Sequence, residues 1–309
     1  MLSEVLPWQH TVWQQLLRYR SSLPHALLFT GKAGIGKFLL AKMFAQLLLC
    51  QQPNATISCG KCHSCHLYTS GHHPDFYLIE PEEVQKAIKI EQVRALNQEL
   101  MQKPFLGGVR VIVVHPLQAL NQASANALLK VVEEPPARTL FIFCGEESTT
   151  IPPTLRSRCQ VMRLAAPSLA VAHAWLAQQI GGSTATQLLA LSQGAPLTAL
   201  AMQEHLAQWQ AIERILGQFR QRQLNLSHVA IQLNSYELDL IWRVLYQMLL
   251  TEIRQCFQAV NASSNQPMAA YFAYLDQLHH MRSILWLKKI NLNRELTLEN
   301  WLIGWANLF

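Results

Sequence analysis

Gly31-Lys-Ala-Gly-Ile-Gly-Lys37 stands between His25-Ala-Leu-Leu-Phe-Thr30 and a helix-length apolar segment, Phe38 to Cys50. The short apolar run before it is bounded by turn signals and reads as a buried strand. The segment after it is apolar nearly all round and reads as a buried helix. A glycine-rich turn between strand and helix is the context a phosphate-binding loop requires. Its glycines let backbone N–H groups turn toward phosphates, the helix N-terminus adds positive potential, and Lys37 reaches the outer phosphates. Gly31, Gly34, Gly36 and Lys37 are therefore the candidate nucleotide-binding residues. The next position needs a Ser or Thr hydroxyl to help hold magnesium. Here it is Phe38, which has no oxygen to offer.

Working outward, an amphipathic opening helix precedes the loop. After it come a strand at Asp75–Ile79, helical spacing over Ile90–Gln102, and a strongly apolar strand at Val109–Val114. A helix from Gln122 to Glu134 stops at Pro135-Pro136. Leu140–Cys144 and Gln160–Leu164 read as two more strands. Strands alternating with helices imply a parallel sheet covered on both faces. That pattern ends near Pro167. Beyond Ser168 only helical periodicity remains, with Gly181-Gly182 and Gly194-Ala-Pro196 punctuating a small unit and Asn261–Pro267 the clearest later loop. The expected domains are 1–166, 167–205 and 206–309.

The strand Val109–Val114 carries the second test of phosphate chemistry. P-loop ATPases end this strand in an Asp for magnesium, usually followed by a Glu that orients water. This chain has His115-Pro116. His115 is expected to pack or to open the next segment. With both metal ligands gone, little remains to neutralise charge in phosphoryl transfer.

Cys50, Cys59, Cys62 and Cys65 hold four of the seven cysteines. Sulfurs three residues apart can converge on one tetrahedral ion at about 2.3 Å. Cys50 is expected at the end of the buried helix and the other three on the following loop, where Gly60 eases the turn. Four thiolates with no open position describe a structural metal site. Zinc and an iron–sulfur cluster both remain open on this spacing. His63, His66, His72 and His73 lie near enough to substitute for a sulfur. Cys144, Cys159 and Cys256 read as isolated packing cysteines.

Half of the 309 residues are hydrophobic, 14% are charged and the net charge is +6. Disorder is excluded, and no Lys/Arg block marks a nucleic-acid surface. No apolar stretch reaches the roughly 18 residues of a membrane span, and the N-terminus lacks the order of a signal peptide. The expectation is a cytoplasmic protein with no membrane contact.

Asn126-Ala-Leu-Leu-Lys-Val-Val-Glu-Glu-Pro-Pro136, Thr154-Leu-Arg-Ser-Arg-Cys159 and the cysteine spacing together resemble the AAA+ subunits of bacterial clamp loaders. The resemblance spans roughly positions 5–205, on the size scale of a domain with its lid. It implies an AAA+ P-loop-type α/β sheet with a zinc insertion, a helical lid and an all-helical C-terminal collar. It favours structural zinc at Cys50, Cys59, Cys62 and Cys65. It also implies a hetero-oligomeric ring with motor ATPase subunits and a clamp-opening subunit, which loads a sliding clamp onto primed DNA for DNA polymerase III. In the motor subunits a phosphate-sensing Thr follows the strand Leu140–Cys144, where this chain has Gly145-Glu146. A lid Arg is expected where this chain has Leu197. The Ser157-Arg158-Cys159 triplet is intact. The combination resembles a non-hydrolysing member that lends Arg158 to a neighbour's ATP site as a finger. Retained Lys37 and loop glycines leave nucleotide binding open. The rival readings are an active clamp-loader ATPase and a zinc-dependent nucleic-acid-binding module.

Overall fold

The computed structural model describes residues 4–83, 86–106, 108–146, 151–259, 268–287 and 293–308, without the side chains of 256–259, 268, 270 and 281–287. The Asn261–Pro267 loop and the side chain of Cys256 therefore lie outside the described residues. The chain divides into two compact units, Met1–Leu200 and Ala201–Phe309.

In the first unit, helix α1 (His10–Arg18) leads to β1 (Ala26–Thr30), the loop 31–36 and α2 (Lys37–Leu49). Then follow α3 (His63–Thr69), β2 (Phe76–Ile79), α4 (Ile90–Leu100), β3 (Arg110–Val114), α5 (Gln122–Glu133), β4 (Thr139–Cys144), α6 (Pro153–Arg156) and β5 (Gln160–Arg163). The helices α7 (Leu169–Ile180), α8 (Gly182–Leu191) and α9 (Pro196–Met202) come next. The five strands form one sheet in the order β2-β3-β4-β1-β5, and every pair is parallel.

The three central strands β1, β3 and β4 are buried on both sides because helices cover both faces. Side-chain alternation divides them cleanly. Leu27, Phe29, Val111, Val113, Leu140 and Ile142 pack with Trp13 and Leu16 of α1 and Leu40 and Phe44 of α2. Leu28, Ile112, Val114, Phe141 and Phe143 face the other way, against Val93 and Leu96 of α4 and Leu128 and Val132 of α5. Register aligns Phe29 with Cys144 and Val114 with Phe143. The C-terminal ends of β1, β3 and β4 therefore lie side by side, and the segments leaving them share one edge, where open α/β sheets bind ligands.

The second unit is helical among its described residues: α10 (Leu206–Arg220), α11 (Leu226–Leu233), α12 (Leu238–Ala259), α13 (Met268–Leu287) and α14 (Arg294–Ala306). Trp301 and Trp305 are fully buried in it, so these two side chains serve a core. The side chain of Trp286, a third tryptophan suited to core or interface, lies outside the described residues. No helix among the described residues is long and apolar enough to cross a membrane.

Candidate nucleotide pocket and a four-cysteine cluster

The loop 31–36 has the backbone of a phosphate cradle. Gly34 and Gly36 sit at φ +70° and +89°, where a side chain is strained. On the Cβ side of these glycines the loop is packed against distant parts of the chain. A Cβ on Gly34 would lie 2.0 Å from Thr198 Oγ1, and one on Gly36 2.7 Å from Gln9 Nε2. The Leu197 N–H donates to the Gly34 carbonyl at 3.0 Å. Gln9 Nε2 donates to the carbonyls of Ile35 and Gly36, and Trp8 Nε1 to that of Ile35, all at 2.9 Å. Trp8 also meets Trp175 of α7 edge-on at 5.4 Å.

Lys37 is buried. Its ammonium donates to the loop's own carbonyls, Gly31 at 2.8 Å and Lys32 at 2.6 Å. Burial lowers its pKa, and the nearby charge of Glu146 works in the opposite direction. Two of its three donors are thus spent inside the loop.

The four departures read from the sequence converge here. Phe38, His115 with Pro116, Gly145 with Glu146, and Leu197 all line one cavity of about 420 Å³, together with Gly34, Gly36 and Lys37. Phe38 and His115 stack face to face, with ring centroids 4.3 Å apart and planes 10° apart. Burial pushes the His115 imidazole down to about 4, with the Lys37 charge acting in the same direction. A backbone hydrogen bond with Cys144 acts the other way as the smallest influence, and among the described residues the buried Nδ1 has no hydrogen-bond partner of ordinary geometry. Glu146 brings one carboxylate to the cavity, where it accepts a bond from Gln118 at 3.1 Å. A negative group there opposes a phosphate. Gly31 does not line the cavity; it is pressed against the backbone after β5, since a Cβ on it would meet Leu164 O at 2.4 Å.

Arg158 lies away from this cavity, on the turn between α6 and β5. Its Nη1 donates to Thr154 O at 2.8 Å, and its Nη2 pairs with Glu133 of α5 at 2.7 Å. About a third of the side chain is exposed.

The cysteines form a separate centre. Cys50 caps the C-terminus of α2, and Cys62 caps the N-terminus of α3. Cys65 lies on α3 and not on a loop. A seven-residue helix is too short to announce itself by periodicity. The four Sγ atoms lie within 4.8 Å of one another. Three contacts are 3.5, 3.9 and 3.9 Å. A tetrahedral ion at about 2.3 Å from each sulfur requires sulfurs about 3.8 Å apart, so the cluster fits a metal ion. Backbone N–H groups of Cys59, Cys62 and Cys65 donate to the sulfurs of Cys50, Cys59 and Cys62 at 3.3, 3.3 and 3.4 Å, the support a thiolate needs. Burial acts to raise the Cys62 thiol, but N–H bonds from Cys65 and Gln51 and the neighbouring thiols hold it at about 6. Burial raises Cys50 and Cys65. A divalent cation would bring all four to the thiolate state. His63, His66, His72 and His73 are not members of the cluster.

Sequence reading missed Trp8, Gln9 and Thr198 around the loop. Each reaches it from a distant segment, and no local pattern marks them.

A parallel five-stranded sheet, a glycine loop at its edge and helices beyond define a P-loop-type AAA+ fold. Comparison with known proteins narrows the class. The family model described as "DNA polymerase III, delta subunit" matches residues 8–168. DNA polymerase III subunit delta' of Pseudomonas aeruginosa is 36% identical, with 99% of this chain and 99% of that one aligned. The subunit of the same name from Yersinia pestis is 33% identical over 97% of this chain and 94% of its own. A solved DNA polymerase III gamma subunit-related protein from Thermotoga maritima shares the fold, with TM-score 0.57, 16% identity, and 96% and 98% of the two chains covered. The chain belongs to the DNA polymerase III delta-prime subunit family.

Proposed function

We propose that this chain is a non-hydrolysing stator of the DNA polymerase III clamp loader. It holds a ring of motor ATPase subunits and the clamp-opening subunit, and so helps load the sliding clamp onto primed DNA in the cytoplasm. One observation carries the reading. The positions where phosphoryl transfer needs a hydroxyl and a carboxylate are occupied by two rings stacked on each other, Phe38 and His115. Neither ring offers magnesium an oxygen, and neutralised charge is most of what such a site contributes. Gly31, Gly34, Gly36 and Lys37 are then a vestigial nucleotide loop. Its carbonyls and glycine faces are committed to Lys37, Gln9 and Thr198.

Arg158 is the group this subunit lends. It lies outside the chain's own pocket, and its partner Glu133 is a surface carboxylate. Such pairs are worth about 0–1 kcal/mol, so a neighbour's phosphates can recruit the guanidinium at small cost. Its planar fork of donors suits phosphate oxygens. The domains under this reading are 1–166 for the AAA+ core, 167–205 for the lid and 206–309 for the collar. Structural zinc would be held by Cys50, Cys59, Cys62 and Cys65. The test is phosphate release by the purified chain with ATP and magnesium. No turnover above background is expected. Turnover that disappears in Lys37→Ala would overturn the reading.

A further inference from the structure

Two buried polar side chains beside the cysteine cluster are used by none of the chemistry above. Ser64 is fully buried and His73 is 5% exposed. Ser64 Oγ donates to the carbonyl of Leu49 at 2.5 Å and lies 2.8 Å from His73 Nε2. The Asp75 N–H donates to His73 Nδ1 at 3.1 Å. These bonds fix every proton. Nδ1 accepts from an amide, so the neutral ring carries its proton on Nε2 and gives it to Ser64 Oγ. The single Ser64 hydroxyl proton is then free for Leu49 O. Each donor finds an acceptor, the condition under which a buried polar chain stabilises one arrangement.

The placement of this relay is informative. Leu49 directly precedes Cys50, and Ser64 directly precedes Cys65. One hydroxyl therefore ties the end of α2, with its sulfur, to the first turn of α3, with another. His73 anchors that hydroxyl to the segment leading into β2. Asp75 extends the chain, since its two carboxylate oxygens accept from Phe105 N–H at 2.6 Å and Leu106 N–H at 2.9 Å. The two cysteines bridged this way, Cys50 and Cys65, are the buried members of the cluster.

We propose that Ser64 and His73 are positioning residues of the metal site, holding Cys50 and Cys65 at ligating distance through the Leu49 carbonyl. This rests on the reading of the four cysteines as a zinc site. Neither side chain touches the ion; both act by fixing the backbones that carry its ligands. Outer-shell partners of metal ligands typically cost 10–100-fold in affinity when removed.

The experiment measures zinc transfer from the loaded full-length chain to a chromophoric chelator, with metal content and Tm recorded for each variant. Ser64→Ala should bind zinc roughly 10-fold or more weakly, with the Tm of the main transition little changed. His73→Gln keeps an N–H that can donate to Ser64, so it should fall between Ser64→Ala and the unmodified chain. His73→Phe, which has no donor, should match Ser64→Ala. His72→Ala, at an exposed neighbour, should behave as the unmodified chain. Cobalt-loaded forms should keep the four-thiolate absorption throughout, because the ligands are unchanged. If Ser64→Ala does not fold, the ranking of His73→Gln above His73→Phe decides the matter. An unmodified chain that holds zinc, with variants that retain it equally well, overturns the positioning role alone. An unmodified chain that binds no metal overturns the metal site and this role with it.

Discussion

Replacing His115 by Phe should make the protein more resistant to acid. His115 is held at about 4 against an ordinary 6.5, chiefly by burial and then by the charge of Lys37. Above pH 6.5 the ring is neutral in both folded and unfolded chains, and it contributes no pH dependence. Between 6.5 and 4 the unfolded chain takes up a proton that the folded chain refuses, so stability falls as pH falls, and it levels off below 4. A gap of about 2.5 units corresponds to at most ~3.4 kcal/mol. The ring is only half-buried at the cavity wall, so solvent screening reduces this to about 1–2 kcal/mol. Phe at this position keeps the stack on Phe38 and removes the titration. Urea unfolding of both proteins at pH 7.5, 5.5 and 4.5 gives the difference, in which the other titrating groups cancel. The stability of His115→Phe relative to the unmodified chain should rise by about 1–2 kcal/mol across that range. Parallel pH profiles would refute the claim that His115 is a neutral packing ring.

The four-cysteine cluster should hold one zinc per chain, and Cys62→Ser should lose it and loosen residues 50–69 while the sheet remains; elemental analysis that finds iron, or a fold indifferent to chelator, contradicts this. Gly34→Ala should destabilise the first unit by about 1–3 kcal/mol, because its φ is +70° and the new Cβ would lie 2.0 Å from Thr198 Oγ1; an unchanged denaturant midpoint would show that the loop and α9 part easily. Asp75→Ala should leave the amides of Phe105 and Leu106 without their acceptor, at about 1–3 kcal/mol each. Hydrogen exchange at 105–106 should then speed up, with Asp75→Asn milder; unchanged exchange would mean the loop is held by other contacts.

The sheet was legible because its central strands are buried on both faces, so they stand out as the mainly apolar runs at 25–30, 109–114 and 140–144 against helical spacing. The glycine loop was legible because glycines, strand and helix adjoin in sequence. The departures at Phe38 and His115 could be recognised separately, but not the stack they make, which joins positions 77 residues apart by pairing β1, β4 and β3 in one sheet. What the sequence withheld are contacts between a side chain and a distant backbone. Gln9 reaches Ile35 and Gly36, and Thr198 lies over Gly34, because helices α1 and α9 converge on one loop. Ser64 and His73 sit among the cysteines without any spacing that distinguishes them from His63, His66 and His72. Only the fold shows which of them is buried and bonded. The pairing of Arg158 with Glu133 was equally hidden, although both residues lie in the segments that carry the family resemblance.

The proposed stator turns over no ATP itself and acts on a neighbour's. The direct measurement is clamp-stimulated ATP turnover by a clamp loader reconstituted from its motor and clamp-opening subunits with this chain unmodified, as Lys37→Ala, or as Arg158→Ala. Lys37→Ala should leave the rate unchanged. Arg158→Ala should assemble normally and slow turnover at one interface, where a finger supplied in trans is worth roughly 10³–10⁵ in rate; the loss for the whole ring is smaller because other sites keep their own. Arg158→Lys should rescue poorly, since a point charge lacks the planar fork. Turnover that falls with Lys37→Ala and is indifferent to Arg158→Ala would contradict the account.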